Sequence, residues 1–224
     1  MALNRTVSSD AISDGHADES WIAIVPIRSF SEGKTRLEAH GISAGALIEA
    51  FASDVFDACA DCPRIGEVVV VSPDPQVLDF ATHRGARALR EVQVTGIDDA
   101  VAYAREQVTG SIVAILGDTP CLTGSVLASV LDEAARFPIS FVPDTQGVGT
   151  TMWCARRGSH GRSHFGHHSR AKHRASGAVE LGSTDKSPQW ARARRDVDTD
   201  VDLWDARRLG VGSATSALLD STRR

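Results

Sequence analysis

The chain has 224 residues, of which 42% are hydrophobic and 24% charged, with four cysteines and a net charge of −5. A domain of this length buries roughly 70% of the surface that its unfolded chain exposes, so a full core forms without disulfides. No apolar run approaches the roughly 20 residues of a membrane helix, and no basic start followed by an apolar stretch marks a secretory signal. Fibrous, membrane-spanning, disulfide-scaffold and wholly disordered classes are excluded, and a reducing cytoplasm is expected.

The charge is unevenly spread. Residues 1–154 hold 10 Lys+Arg against 21 Asp+Glu, about −11, whereas residues 155–224 hold 14 against 8, about +6. A basic segment on an acidic protein suits a small anionic molecule. A duplex-binding domain would be basic overall, so no nucleic-acid partner is expected.

Residues 1–20 lack apolar periodicity and are rich in Ser, Asp and Ala, which predicts a disordered tail. The fold is expected to begin at Trp21, where WIAIVPI is a continuous apolar run leading into a polar loop, RSFSEGKTR. VVVV (Val68 to Val71) and IVAIL (Ile112 to Leu116) are runs of the same kind. Unbroken runs predict strands buried on both faces, as in a parallel sheet. Between them, Leu47, Phe51, Val55 and Cys59 recur every fourth residue, and Ile97, Val101, Ala104 and Val108 form a shorter pattern. Leu127, Val130, Leu131, Ala134 and Ala135 follow a cap at Thr123. SFVPD and TTMWCA read as further strands among Gly-, Ser- and His-rich loops. Alternating strands and helices without an internal repeat predict one open α/β sheet with right-handed crossovers.

In such sheets ligands bind beyond the carboxyl ends of the strands. The loop Arg28 to Leu37 carries Gly33, Lys34, Thr35 and Arg36. Glycine lets backbone amides approach a phosphate and the cations supply charge-assisted bonds, or the loop is simply a solvated basic segment. A P-loop is not expected, because Arg28 stands where its first glycine would be. Gly117-Asp118-Thr119-Pro120 follows IVAIL directly, which puts Asp118 at the rim of the sheet. Such a carboxylate meets a cation, a donor or a metal, or it caps the next helix. In Asp196-Val197-Asp198-Thr199-Asp200, an extended backbone sends the three carboxylates to one side, about 7 Å apart. A hard cation such as Mg²⁺ would relieve their repulsion; alternatively Thr199 or Asp200 caps a helix over VDLWDARRLG. Both can hold together. Cys59-Ala60-Asp61-Cys62 is a lone CxxC without a second pair, and His160, His164, His167, His168 and His173 crowd one segment. Each of these two groups is either a metal site or incidental.

With these residues in place, the chain resembles the guanylyltransferases of deazaflavin coenzyme F-420 biosynthesis, which comprise 2-phospho-L-lactate guanylyltransferase in archaea and phosphoenolpyruvate guanylyltransferase in actinobacteria. The resemblance runs from Trp21 to about Leu209 through VPIRSFSEGKTRL, GDTP, VPDTQGVGTTM, FGHHSRAKHRASGAVEL and DVDTDVDL, in that order. The pairing of GTT with HRASGAVEL resembles the actinobacterial branch, whose acceptor is phosphoenolpyruvate. What the resemblance implies is an α/β, single-domain nucleotidyltransferase fold over residues 21–210, with a Rossmann-like, mostly parallel central sheet flanked by helices and a C-terminal tail over 211–224.

The resemblance also implies roles. Asp118, Asp196 and Asp198 match the carboxylates that bind a pair of Mg²⁺ ions, and Thr150, Gly166 and Ser169 match positions that hold the phosphorylated three-carbon acid. Pro26, Arg28, Gly33, Lys34, Arg36 and Asp98 fall on nucleotide-binding positions, with Lys34 and Asp118 expected to be catalytic. Gly147 and Gly149 are expected to keep the backbone close to ligand. Arg28 replaces the family's usual Lys, GDTP its commoner ADLP, and Asp98 its usual Asn, while His167 and His168 fill a gap where smaller residues are common. GTP, the phosphorylated acid and the next transferase of the pathway are the implied partners, with no membrane. Other acceptors of the same chemistry are 2-phospho-L-lactate, 3-phosphoglycerate or a sugar phosphate. A nucleotide-binding module without catalysis is the rival class.

Overall fold

The computed structural model describes residues 20–31, 37, 41–91, 96–182 and 187–221. Of the expected features, residues 1–19 of the tail expected over 1–20, together with Gly33, Lys34 and Arg36, lie outside these residues.

Trp21–Pro26 forms β1, and its unbroken apolar character has a direct cause. Ala23 and Val25 enter one core while Ile22 and Ile24 enter the core on the other side, so neither face meets water. β2 (Ile65–Ser72) and β4 (Ser111–Ile115) flank β1 in parallel and divide their side chains in the same way. Ser43 caps α1 (Ala44–Ala60), whose Leu47, Phe51, Val55 and Cys59 are all buried as the fourfold spacing predicts. α2 (Pro75–His83) leads to β3 (Arg87–Arg90), a half-buried edge strand parallel to β2 that carries no continuous apolar run. α3 (Ile97–Glu106) turns Val101 and Ala104 inward, and α4 (Gly124–Ala134) starts at the expected Thr123 cap.

The regular pattern then reverses. β5 (Ile139–Pro143) and β6 (Thr150–Ala155) pair antiparallel, and β6 also pairs antiparallel with β4. After α5 (Ser169–Ala175), the short β7 (Val179–Glu180) adds parallel to β5. The sheet order is β3-β2-β1-β4-β6-β5-β7, so only β6 among its strands runs against the rest. The mostly parallel α/β sheet expected from the sequence is thus observed. α6 (Pro188–Ala193) and α7 (Asp200–Leu209) follow, the latter capped by Thr199 in a reciprocal pair with Asp202.

Within the stretch expected to be a C-terminal tail (211–224), Ser213–Ser221 instead form α8, packed on α1 through buried Thr215 and Leu219. Asp54 of α1 accepts from the backbone N–H groups of Ala214 (2.9 Å) and Thr215 (3.2 Å), which supplies the acceptor that the start of α8 needs. Among the described residues no helix is long and apolar enough to cross a membrane.

Candidate active site

The chain moves outward from β1 through β2 to β3 and then returns to place β4 on the other side of β1. That reversal opens a crevice between the ends of β1 and β4. It is a cleft of about 320 Å³, lined by Pro26, Arg28 and Ser29 after β1, by Leu116 and Asp118 after β4, and by Asp198. A neighbouring cavity of about 330 Å³ shares Pro26, Ile27, Arg28 and Ile97 and extends to Val71 and Glu91. The Arg28–Ser29 segment is held from the end of β2 and the cap of α2: Ser29 Oγ donates to Asp74 Oδ2 (2.6 Å), and Ser72 Oγ reaches the Arg28 carbonyl (3.4 Å). Pro26 and Arg28 therefore stand in the crevice where nucleotide contacts were expected. Asp98 does not line it. Its Oδ1 accepts from Ser163 Oγ (2.7 Å) and the Phe165 N–H (2.8 Å), tying the start of α3 to the segment before α5, and it is Ile97 that faces the crevice.

Acidic residues gather at one edge of this cleft. The segment Arg194–Asp198 runs as a strap past β4, and the Val197 N–H bonds the Asp118 carbonyl at 3.0 Å. Val197 is fully buried, so the residues on either side of it turn outward, as alternation along an extended chain requires. Thr151 Oγ1 holds the carbonyl of Ala193 (2.8 Å), and Arg194 donates to the Asp144 carbonyl (3.0 Å). Burial first, and then the charges of Asp118, Asp144 and Asp198, push the Asp196 carboxyl up to about 7. The expected trio of Asp118, Asp196 and Asp198 is thus brought together. Asp200 departs from it to begin α7. Among the described residues, no three His, Cys, Asp or Glu side chains already stand so as to hold a metal ion.

Asp144 is the member that the sequence reading missed. It ends a buried run, ISFVP, just as Asp118 follows IVAIL, so the same signal was present. Its two oxygens accept from the N–H groups of Val148 (2.9 Å) and Gly149 (2.7 Å), closing the loop between β5 and β6. A Cβ on Gly149 would fall 2.5 Å from Asp144 Oδ2. The glycine expected to admit a ligand therefore admits this carboxylate. On the outer side of the loop, Arg170 binds Glu180 with two hydrogen bonds (2.8 and 3.0 Å) and the Gly147 carbonyl with a third (2.9 Å).

Thr150 follows at the start of β6, opposite Pro143. Thr151 points toward α6, so Thr150 points the other way, toward α5. There Ser169 Oγ donates to Thr150 Oγ1 at 3.1 Å, and His173 Nδ1 lies 3.0 Å from the same oxygen. Gly166 takes a left-handed φ of 91°, open to glycine at no steric cost, and its carbonyl receives the Ser169 N–H. The three residues expected around the acceptor are therefore assembled in one place. His173, weighed only within the histidine cluster, is fully buried; it stacks on Phe141 and meets Phe165 edge-on. Burial, then the neighbouring His164, lowers its pKa to about 4. Cys59, Cys62, Cys121 and Cys154 are buried and unbridged, and burial pushes the Cys59 thiol up to about 12, which leaves the CxxC inert as a redox pair.

Residues 21–205 match the family described as guanylyl transferase CofC like. The phosphoenolpyruvate guanylyltransferase of Streptomyces avermitilis is 36% identical over 205 residues, covering 88% of this chain and 93% of that protein. The enzyme of the same name from Thermomonospora curvata is 36% identical over 215 residues, covering 93% and 92%. A solved nucleotidyl transferase from Methanothermobacter thermautotroptrophicus superimposes with a TM-score of 0.55 at 14% identity, covering 84% of this chain and 96% of that one, and so shares the fold. With the crevice, its acidic edge and the Thr150–Ser169 pair in the order of the family's motifs, the chain belongs to the guanylyl transferase CofC-like family.

Proposed function

We propose that the chain is a phosphoenolpyruvate guanylyltransferase, which transfers GMP from GTP to phosphoenolpyruvate and releases diphosphate, as a cytoplasmic step of coenzyme F-420 biosynthesis. The observation that carries this reading is the junction at the β5–β6 loop. Asp144, at one end, adds its charge to those of Asp118 and Asp198 around Asp196, and Thr150, at the other, meets the Ser169 hydroxyl in a pair suited to an anion. The names of relatives sharing a third of their residues over nearly the whole chain support the same acceptor.

In this reading a phosphate oxygen of phosphoenolpyruvate attacks the α-phosphorus of GTP. The new O–Pα bond forms as the bond from Pα to the bridging oxygen of the β-phosphate breaks, and diphosphate leaves. The attacking oxygen is already anionic, so no protein nucleophile is needed. The task is to align two polyanions, which is the positioning that dominates such transfers. Arg28 in the crevice, with Lys34 and Arg36 beyond the described residues, supplies charge for the triphosphate. Thr150, Ser169 and the Gly166 backbone orient the acceptor.

The donor set at the acidic edge fits a divalent cation: its side chains are all carboxylates, and burial, then the crowding of their charges, raises Asp196. Mg²⁺ characteristically takes one or two carboxylates and completes its shell with substrate phosphates. Asp118, Asp196 and Asp198 would hold it, as a pair of ions by the family's pattern, and it would supply neutralisation of the charge on the reacting phosphates.

The test is to incubate the purified protein with Mg²⁺, GTP and, separately, phosphoenolpyruvate, 2-phospho-L-lactate and 3-phosphoglycerate, with the next transferase of the pathway and its deazaflavin acceptor present to draw the product forward. Diphosphate release with phosphoenolpyruvate alone is expected. Release with another acid alone would keep the reaction and change the acceptor. GTP binding without release for any of them would leave a nucleotide-binding module.

A further inference from the structure

We propose that His173 is a positioning residue for the acceptor: it holds Thr150 so that the threonine hydroxyl donates its hydrogen to an anionic oxygen of the bound acid. This inference rests on the reading that Thr150 and Ser169 line the acceptor site.

The hydrogen bonds decide the direction of donation. The backbone N–H of His164 points at His173 Nε2 from 2.8 Å, so Nε2 is an acceptor and carries no proton. A neutral imidazole then bears its hydrogen on Nδ1, which faces Thr150 Oγ1 at 3.0 Å and donates to it. Neutrality follows from the setting: the ring is fully buried between Phe141 and Phe165, and the neighbouring His164, then Lys172, the preceding residue, act against protonation. Asp98 and a hydrogen bond to the Ser169 backbone act in the opposite sense, but burial outweighs them and Asp98 Oδ1 is already committed to Ser163 and Phe165. Ser169 Oγ is the second donor to Thr150 Oγ1.

A hydroxyl has two acceptor sites and one hydrogen. With both acceptor sites of Thr150 filled by protein donors, its hydrogen is the one proton of the three groups not used among them. It can be given only to an acceptor from outside the trio. The arrangement therefore presents a fixed donor to an oxygen and resists any group that would need Thr150 to accept. Phosphates and carboxylates meet that requirement, and the same donor has nothing to gain from a hydroxyl hydrogen of the ligand. Thr150 stands six residues past Asp144, at the other end of the same closed loop.

Two side chains of one kind separate this role from packing. In His173→Asn the amide nitrogen takes the place of Nδ1 and keeps the donor to Thr150 while abandoning the His164 N–H. In His173→Gln the amide reaches the place of Nε2 and keeps the His164 bond while withdrawing the donor. The expected result is that His173→Gln raises KM for phosphoenolpyruvate about tenfold with KM for GTP unchanged, and that His173→Asn stays within about threefold of wild type for both, even where its Tm falls. Wild-type KM for phosphoenolpyruvate in His173→Gln, or equal effects of the two substitutions, would overturn the proposal. Thr150→Val serves as the separate control. If it leaves KM for phosphoenolpyruvate unchanged, the acceptor does not sit at Thr150, and the placement of the site fails rather than the role of His173 within it. If Thr150→Val raises that KM and adding His173→Gln to it raises it no further, the histidine acts through the threonine.

Discussion

The two halves of the sheet solve different problems by different means. From β1 to β4 the strands are parallel, the three central ones (β1, β2 and β4) are apolar on both faces, and what they carry to the crevice is the loops that follow them. From β5 onward the direction reverses at β6, and the site is made of side chains bonded to one another across a hairpin, a short helix and a strap. A nucleoside triphosphate is large and can be held by loop backbone and charge, which tolerates imprecision. A three-carbon acid has few atoms to grip, so each donor must be fixed by a second group, as Thr150 is by Ser169 and His173.

The largest expected effect strikes the seam between the halves. Asp118→Asn replaces a carboxylate of the acidic edge with a neutral amide of the same shape, and turnover should fall by about 100-fold or more, the scale of a lost metal interaction. The Val197 bond is made to the Asp118 backbone, so the strap survives the substitution and the folded state should be retained. Near-normal turnover in a folded Asp118→Asn protein would detach the crevice from the chemistry and leave only the second half as the site.

The second half has its own signature in acid. His173 titrates near 6.5 when unfolded and near 4 when folded, so between these values the unfolded chain binds the extra proton. Stability from this group is therefore complete above about pH 6.5 and is lost as the pH falls toward 4. Denaturant midpoints at pH 7 and pH 5 should show wild type losing about 2 kcal/mol more than His173→Gln, because the carboxylates are common to both and cancel. Equal losses would mean that the imidazole is not held neutral, and the fixed direction of donation to Thr150 would go with it.

How much of this was legible in the sequence follows the same division. The first half declared itself: a strand covered on both faces must be apolar at every position, and a helix on a core must repeat every three to four residues, so Trp21–Pro26, Val68–Val71 and Leu47–Cys59 could be read directly. In the second half a single residue type served several ends, and the pattern did not say which. Asp144 carried the rim signal used for Asp118 but spends its oxygens on loop amides. Asp98 matched a nucleotide position but binds Ser163 and Phe165. His173 stood among four other histidines, and only its burial tells it from them. The trio Thr150, Gly166 and Ser169 came from resemblance alone, since contacts across 19 residues leave no periodic trace.

Gly149 tests whether the loop joining the halves is a hinge or a clamp. An alanine there would thrust its Cβ to 2.5 Å from Asp144 Oδ2, a carboxylate already bound on both oxygens. Either the side chain gives up its bond to residue 149 or the loop moves, and each leaves a buried donor or acceptor unmet. Gly149→Ala should cost about 1–3 kcal/mol by denaturant midpoint and should raise KM for the acceptor along with it, because Thr150 is the next residue. A loss of stability with unchanged acceptor KM would show that β6 holds Thr150 without help from the loop.

The smallest expected effect lies at the far end of the first half, where α8 packs on α1. Asp54 is buried, and burial raises its pKa against the opposing pull of its bonds to Thr215 and Ala214. Since burial is the larger of these influences, holding the charge there already costs the fold part of what the capping bonds return. Removing the side chain therefore forfeits less than an exposed cap would. Asp54→Ala should lower stability by about 1 kcal/mol, and Asp54→Asn, which keeps an acceptor oxygen and discards the charge, should cost less still. Turnover should be unaffected by either, because Asp54 lines neither the crevice nor the cavity beside it. If Asp54→Asn destabilised as much as Asp54→Ala, the charge itself would be what α8 needs at its N-terminus, and burial would be the lesser influence on Asp54 after all.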